Sequence, residues 1–507
     1  MADKVFILGI DGGTFRVIDE LIKQDKLPNF KKIKENGSSG ILNSCIPPTT
    51  DPAWQVLFTG KNPGNVGFYF NATYLGDEEY QKRLVTKVET ETIWSILSKN
   101  NRTVGVYNIP FTYPAEKVNG FMVSGLFSPG FERLTYPEEL KKELGEDYCI
   151  SIPDFQYLTK EEQIKRSIEE INKKFNTGIK LYKKYKPEFF MMVIAEVDTV
   201  QHFFWEGKKI NKTIEECYLL LDKYLGEILE AINEETTLFI ASDHGFCKAK
   251  YDILLNSVML NKGYIKLKNE EQKTEKFKNK IAKFLDKFGL RKTISRIISK
   301  NLGQVFTTGF DKIDWPNTKA FSYGVGGIYI NLKGREPKGC VKKEEYEKTL
   351  NEVEKELLEL IDPETQEKII KKIYRKNTIY KGKATERMPD LILIPNEKYV
   401  FRDYFGTEWK KESVFSGNHE PEGIFLACGK DIKKGHKVNC DLVDITPTAL
   451  HILNKNIPLD IDGKIVKDIF KTQSKHYKKK TKKQTEKEYK TQKEKNLISN
   501  LIKDLKV

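Results

Sequence analysis

The seven cysteines of this 507-residue chain lie far apart and form no Cys-x-x-Cys pair. That excludes a zinc ribbon and leaves no disulfide framework to read, so most are expected to be buried reduced thiols. No apolar run approaches the ~20 residues that a membrane helix requires. The opening Met1-Ala-Asp-Lys4 lacks the charged-then-apolar build of a signal peptide. We therefore expect a cytoplasmic protein without a transmembrane segment. Histidine is scarce, at six. Internal repeats are absent.

Length and charge are what the chain has in quantity. It is too long for one small domain and ample for a large core. The net charge of +14 is uneven. Residues 471–507 hold 13 Lys against 4 acidic side chains, leaving the rest of the chain at +5. The tail is poor in apolar residues and rich in Lys, Gln, Thr and Glu, which predicts disorder or a lone solvated helix. Its last stretch, Leu497 to Leu505, has helical periodicity. Such a tail suits non-specific contact with a polyanion or acidic lipid.

Before the tail, strands alternate with helices. Strands are predicted at Val5–Ile10, Gly40–Ser44, Thr103–Tyr107, Phe189–Ala195, Thr237–Ala241, Ile328–Asn331, Leu391–Ile394 and Ile424–Ala427. Helices are predicted at Arg16–Glu35, Lys160–Lys184, Ile214–Ile232, Lys343–Leu360 and Leu442–Leu453, with another that starts near Pro52 and ends at Thr59-Gly60. The alternation argues for an α/β fold around a layered sheet. One Lys-rich block, about 250–320, breaks the rhythm. Phe277, Ile281, Phe284 and Phe288 recur there at helical spacing, predicting a mainly helical inserted cap or a basic amphipathic surface.

In such sheets ligands gather beyond the carboxyl ends of strands, and Asp11, Asp198, Asp243 and His244 all follow predicted strands. Asp198 and His202 are spaced i,i+4 and can share a helical face. His419 stands in Gly-Asn-His-Glu-Pro-Glu-Gly, an odd setting for a histidine without a role. His436 and His476 read as surface residues and His451 as a core histidine. Three Asp and three His make a mixed ligand set that favours Zn²⁺ or Mn²⁺ over Ca²⁺ or Mg²⁺. Two such ions ~4 Å apart can clamp the attacking and leaving oxygens of an in-line displacement. Thr50, before Asp51-Pro52, reads as a helix cap by itself. Beside six ligand candidates it becomes a hydroxyl nucleophile, activated by metal and placed at a helix N-terminus that favours anions.

These residues resemble the alkaline phosphatase superfamily, in its type I phosphodiesterase/nucleotide pyrophosphatase branch. The matching motifs are Ile10-Asp11-Gly, Thr50-Asp-Pro-Ala-Trp54 with Thr59-Gly60, Glu196-Val-Asp198 with His202, Ser242-Asp243-His244-Gly245 and Gly417-Asn-His419. Asp444-Ile-Thr-Pro-Thr-Ala-Leu450 followed by Asp462-Gly463 is similar to the branch's C-terminal pattern. The likeness spans roughly residues 4–470 and is weak through the cap. It implies a layered α/β/α, mostly parallel sheet, with a catalytic domain over 1–470, the cap inside it and a separate tail over 471–507. It also implies that Asp198, His202 and His419 hold one metal ion and Asp11, Asp243 and His244 the other. Thr50 would bridge them and carry a covalent phosphoryl or nucleotidyl group, with Asn71 donating to the developing negative charge. The family often has His-Gly where this chain has Val66-Gly67.

The expected activity is hydrolysis of phosphodiester or pyrophosphate bonds in small, nucleotide-like substrates, with two divalent ions, Zn²⁺ before Mn²⁺. A phosphomonoesterase or a phosphoglycerate mutase-like phosphotransferase remains open, as does an inactive protein that binds polyanions or membrane surfaces. A sulfatase is disfavoured, since Cys45-Ile-Pro-Pro-Thr49 lacks the Arg of that motif.

Overall fold

The computed structural model describes residues 3–67, 78–84, 90–207, 209–268, 309–406, 408–491 and 494. The chain divides into two compact units. One comprises Met1–Asn62, Glu89–Cys247 and Gly417–Val507, and the other Pro63–Val88 and Lys248–Ser416.

The first unit is built on one large sheet. Its principal strands are β1 (Lys4–Ile10), β2 (Ser38–Asn43), β3 (Val104–Ile109), β4 (Gly120–Ser124), β5 (Phe189–Ile194), β6 (Thr236–Ala241) and β7 (Glu422–Cys428), in the order β2-β7-β6-β1-β5-β3-β4. Pairing is parallel from β6 through β1, β5 and β3 to β4, whereas β7 runs antiparallel to both β2 and β6. The sheet is thus mixed and mostly parallel. β3, β5 and β6 are buried along their whole length, which is why they read as continuous apolar runs.

The principal helices of this unit are α1 (Phe15–Lys23), α2 (Pro28–Asn36), α3 (Thr50–Thr59), α4 (Lys160–Tyr185), α5 (Glu196–Phe204), α6 (Lys212–Ala231) and α7 (Ile445–Ile452). Phe6, Leu8 and Ile10 of β1 share a core with residues of α1, α2, α4 and α6. The alternate residue Gly9 faces the other way, and a Cβ there would meet Trp54 of α3 at 2.5 Å. Because successive strand residues point to opposite faces, helices cover both sides of β1.

Most predicted elements lie within a few residues of those observed. The predicted helix over 16–35 is instead two helices. Asp25 adopts φ 55°, Pro28 opens α2, and the chain turns between them. α4 starts at a capping box in which Thr159 and Glu162 bond each other's backbone N–H groups, and it runs unbroken for 26 residues.

The second unit has an antiparallel four-stranded sheet, with Ile370–Arg375, Leu391–Pro395, Gly327–Ile330 and Ala320–Ser322 in that order. Its core is aromatic, with Tyr80 stacked on Trp315 at 3.8 Å and Phe321 on Tyr329 at 5.4 Å. The expected cap over 250–320 forms only part of this unit. Its Phe277, Ile281, Phe284 and Phe288 lie outside the described residues.

The tail differs from its expectation as far as it is described. Helix Lys475–Lys478 buries His476, and Lys483 bridges to Ile457. The imidazole of His476, expected at the surface, lies 3.3 Å from Asp431 and 3.7 Å from Asp3. The periodic stretch from Leu497 lies outside the described residues. No helix among the described residues is long and apolar enough to cross a membrane.

Candidate metal and active site

Three parallel strands deliver the acidic groups. Asp11 follows β1, Asp198 sits in the first turn of α5 just after β5, and Asp243 and His244 follow β6. Gly12 turns the chain at φ 66°, and any Cβ there would press on Phe246 and Gln201 at 2.9–3.0 Å. That turn lets the Gly12 N–H donate to Asp243 Oδ1 at 3.1 Å. Gln201 of α5 donates to the Gly12 carbonyl at 2.8 Å, and Tyr218 of α6 donates to Gln201 at 3.2 Å. The loop after β1 is therefore tied to the helix that carries Asp198 and His202.

α3 supplies the hydroxyl. The helix begins at Thr50, and its N-cap residue, Thr49, makes no capping bond with its side chain. Thr49 Oγ1 is buried without a hydrogen-bond partner. Thr50 Oγ1 instead lies 3.3 Å from His244 Nε2. One turn on, Trp54 Nε1 donates to Asp11 Oδ2 at 3.0 Å, tying α3 to that carboxylate. Gly60 closes α3 in the left-handed conformation.

The imidazoles are oriented by backbone. His202 Nδ1 lies 2.9 Å from the Gly417 carbonyl and His244 Nδ1 lies 3.1 Å from the Gly245 carbonyl. A carbonyl only accepts, so both Nδ1 atoms carry the proton and both Nε2 lone pairs face the site. His202 Nε2 and His419 Nε2 are 2.9 Å apart. Asp198 Oδ1 is 3.1 Å from His419 and its Oδ2 3.5 Å from His202. His244 Nε2 is 3.2 Å from Asp243 and 3.6 Å from Asp11. The His244 and His419 rings stack at 3.7 Å.

Electrostatics point to missing positive charge. Burial, with Asp243 and Asp198 nearby, holds the Asp11 carboxyl well above the usual range. Burial and Asp198 push Asp243 up to about 7. Burial and the neighbouring His419 hold His244 well below the usual imidazole value. Asp198 goes the other way, because His202 and His419 together outweigh its burial. Asp11 Oδ1 and Asp243 Oδ2 are buried with no donor facing them. Clustered carboxylates of this kind are stable as anions only with cations between them.

The residues present fit divalent ions. Ligand atoms of Asp198, His202 and His419 lie within 4.8 Å of one another, as do those of Asp11, Asp198 and His244. Asp198 thus reaches both groups, and Asp243 joins the second through its contact with His244. Each histidine with a backbone-bonded Nδ1 offers Nε2 outward, the usual arrangement of a metal-ligating imidazole. A Type I phosphodiesterase / nucleotide pyrophosphatase family model matches residues 5–422.

The chain belongs to that family.

As a family member it is a hydrolase. Its fold is similar to that of human ectonucleotide pyrophosphatase/phosphodiesterase 5, at 14% identity and a TM-score of 0.51 over 92% of this chain and 99% of that one. The murine form of that protein aligns at 15% identity and a TM-score of 0.49, over 92% of this chain and 100% of its own. No curated protein matches the chain in sequence.

The structure brings Asp11, Thr50, Asp198, His202, Asp243, His244 and His419 into one site, whereas Asn71 lies outside the described residues. Cys45 is nearby. Burial and the Asp243 carboxylate raise its thiol above the ordinary value. Sequence reasoning did not give Trp54 or Gln201 a role. Trp54 stood inside a quoted motif and Gln201 one residue before His202, yet their partners lie 43 and 189 residues away.

Proposed function

We propose that this family member is a metal-dependent phosphohydrolase that cleaves phosphodiester or pyrophosphate bonds of nucleotide-type substrates through a phosphorylated Thr50. The observation that carries this reading is the placement of Thr50 Oγ1, at a helix start and 3.3 Å from His244 Nε2 amid three carboxylates and three imidazoles.

Asp198, His202 and His419 would hold one divalent ion, and Asp11, Asp243 and His244 the other. Bound there, the ions lower the pKa of a hydroxyl and neutralise phosphoryl oxygens. The donor set suits Zn²⁺ first and Mn²⁺ second. Thr50 attacks phosphorus in line. The P–O bond to the leaving group breaks as the threonyl ester forms, and water then cleaves that ester and regenerates the hydroxyl. The N-terminal end of α3 favours the anionic phosphoryl group. Trp54 keeps Asp11 in register with Thr50 throughout.

The test is hydrolysis of a chromogenic phosphodiester and the matching monoester by protein stripped with chelator and reloaded with Zn²⁺ or Mn²⁺. The expected result is no turnover when stripped and faster diester than monoester cleavage when reloaded. A reversed preference would move the reading to a phosphomonoesterase or mutase.

A further inference from the structure

Behind the site lies a buried polar cluster that the reaction does not use. Lys174, in the middle of α4, is 1% exposed at its side chain. Its ammonium donates to Asn108 Oδ1 at 2.8 Å and to the Ile150 carbonyl at 3.2 Å. It lies 3.7 Å from Glu196 Oε1 and 4.9 Å from the centroid of the Tyr148 ring. Burying an ammonium is costly, and a methylene chain would fill the same space without that cost. The contacts therefore need an explanation beyond packing.

They converge on the start of α5. Glu196 is the first residue of that helix, Asp198 the third and His202 the seventh. Ala195, the N-cap residue, offers no side-chain capping bond. The other carboxylate oxygen of Glu196, Oε2, is buried without a hydrogen-bond partner, so Lys174 is the charge that holds this side chain. Asn108 completes the clamp. It stands in β3 at φ 59°, and its Nδ2 donates to the carbonyl of Val193, three residues before Glu196, at 2.8 Å. One ammonium thus fixes α5 to β3 and, through Asn108, to the end of β5.

We propose that Lys174 is a positioning residue, which sets the start of α5 through Glu196 and Asn108 so that Asp198 and His202 meet His419 in metal-binding geometry. This rests on reading the site as a metal centre. Residues that orient ligands from behind commonly govern metal affinity by 10–100-fold.

The test is zinc titration into chelator-stripped full-length protein against a competing chelator, at a temperature where circular dichroism shows each variant folded. Lys174→Met is expected to weaken zinc binding at least tenfold, and Glu196→Gln at least threefold. If Lys174→Met does not fold, Glu196→Gln alone decides. A purely structural lysine would lower the melting temperature and leave zinc affinity in the folded protein unchanged. That result in either folded variant, with normal zinc binding by the parent protein, overturns the proposal alone. Absence of tight zinc binding by the parent overturns the metal reading and this proposal with it.

Discussion

Thr49 and Thr50 carry the same side chain into different surroundings. Thr49 Oγ1 is buried and unpartnered, while Thr50 Oγ1 faces His244 among the ligand candidates. If Thr50 is the nucleophile, Thr50→Ala should cut turnover by at least about 10³-fold and leave metal content unchanged, because the six carboxylate and imidazole groups remain. Thr49→Ala should stay within a few-fold of the parent. Metal analysis beside steady-state kinetics checks both, and comparable losses in the two variants would count against the assignment. The placement of Asp11, Asp198, Asp243 and His244 was legible because each sits in a short motif just beyond a strand. What the motifs could not convey is how they lock together. The hydrogen bond from Trp54 to Asp11 and the tie from Gln201 to Gly12 join segments whose distance in sequence gives no hint of contact.

At the scale of elements, local signals placed strands and long helices well, and their failure at α1 and α2 has a physical cause. Periodicity ran on through 16–35, but α2 is started from outside. Its N-cap residue, Leu27, offers no side-chain acceptor. Asp222 of α6 takes that place, accepting from the N–H of Asn29 at 3.0 Å and of Phe30 at 2.8 Å. Nothing near residue 28 in the sequence signals a carboxylate that arrives from α6. Asp222→Ala would leave buried N–H groups unsatisfied, so it should cost about 1–3 kcal/mol of stability. Denaturant unfolding reads this directly, and an unchanged midpoint would show that α2 is held by packing alone. The antiparallel direction of β7 was equally hidden, since apolar content does not reveal strand direction.

For the whole molecule, the sequence disclosed an α/β body with an interruption. It did not disclose that the second unit gathers Pro63–Val88 as well as Lys248–Ser416, because pairing across that distance leaves no mark on local composition. The basic tail misled in a similar way. Its lysines dominate the pattern, while burial of His476 against Asp431 and Asp3 helps to tie it down. Deleting 471–507 should therefore lower the melting temperature by at least about 2 °C, as expected when buried contacts are lost from a body of this size. Calorimetry on the truncated and full chains would measure it, and equal melting temperatures would show the docking to be inconsequential. Catalysis of the proposed kind depends on a pair of cations. Anomalous diffraction from zinc-loaded crystals tests it most directly. Two zinc peaks about 4 Å apart should flank Thr50 Oγ1, one contacting Asp198, His202 and His419 and the other Asp11, Asp243 and His244. No peak there, or zinc bound away from Thr50, would contradict it.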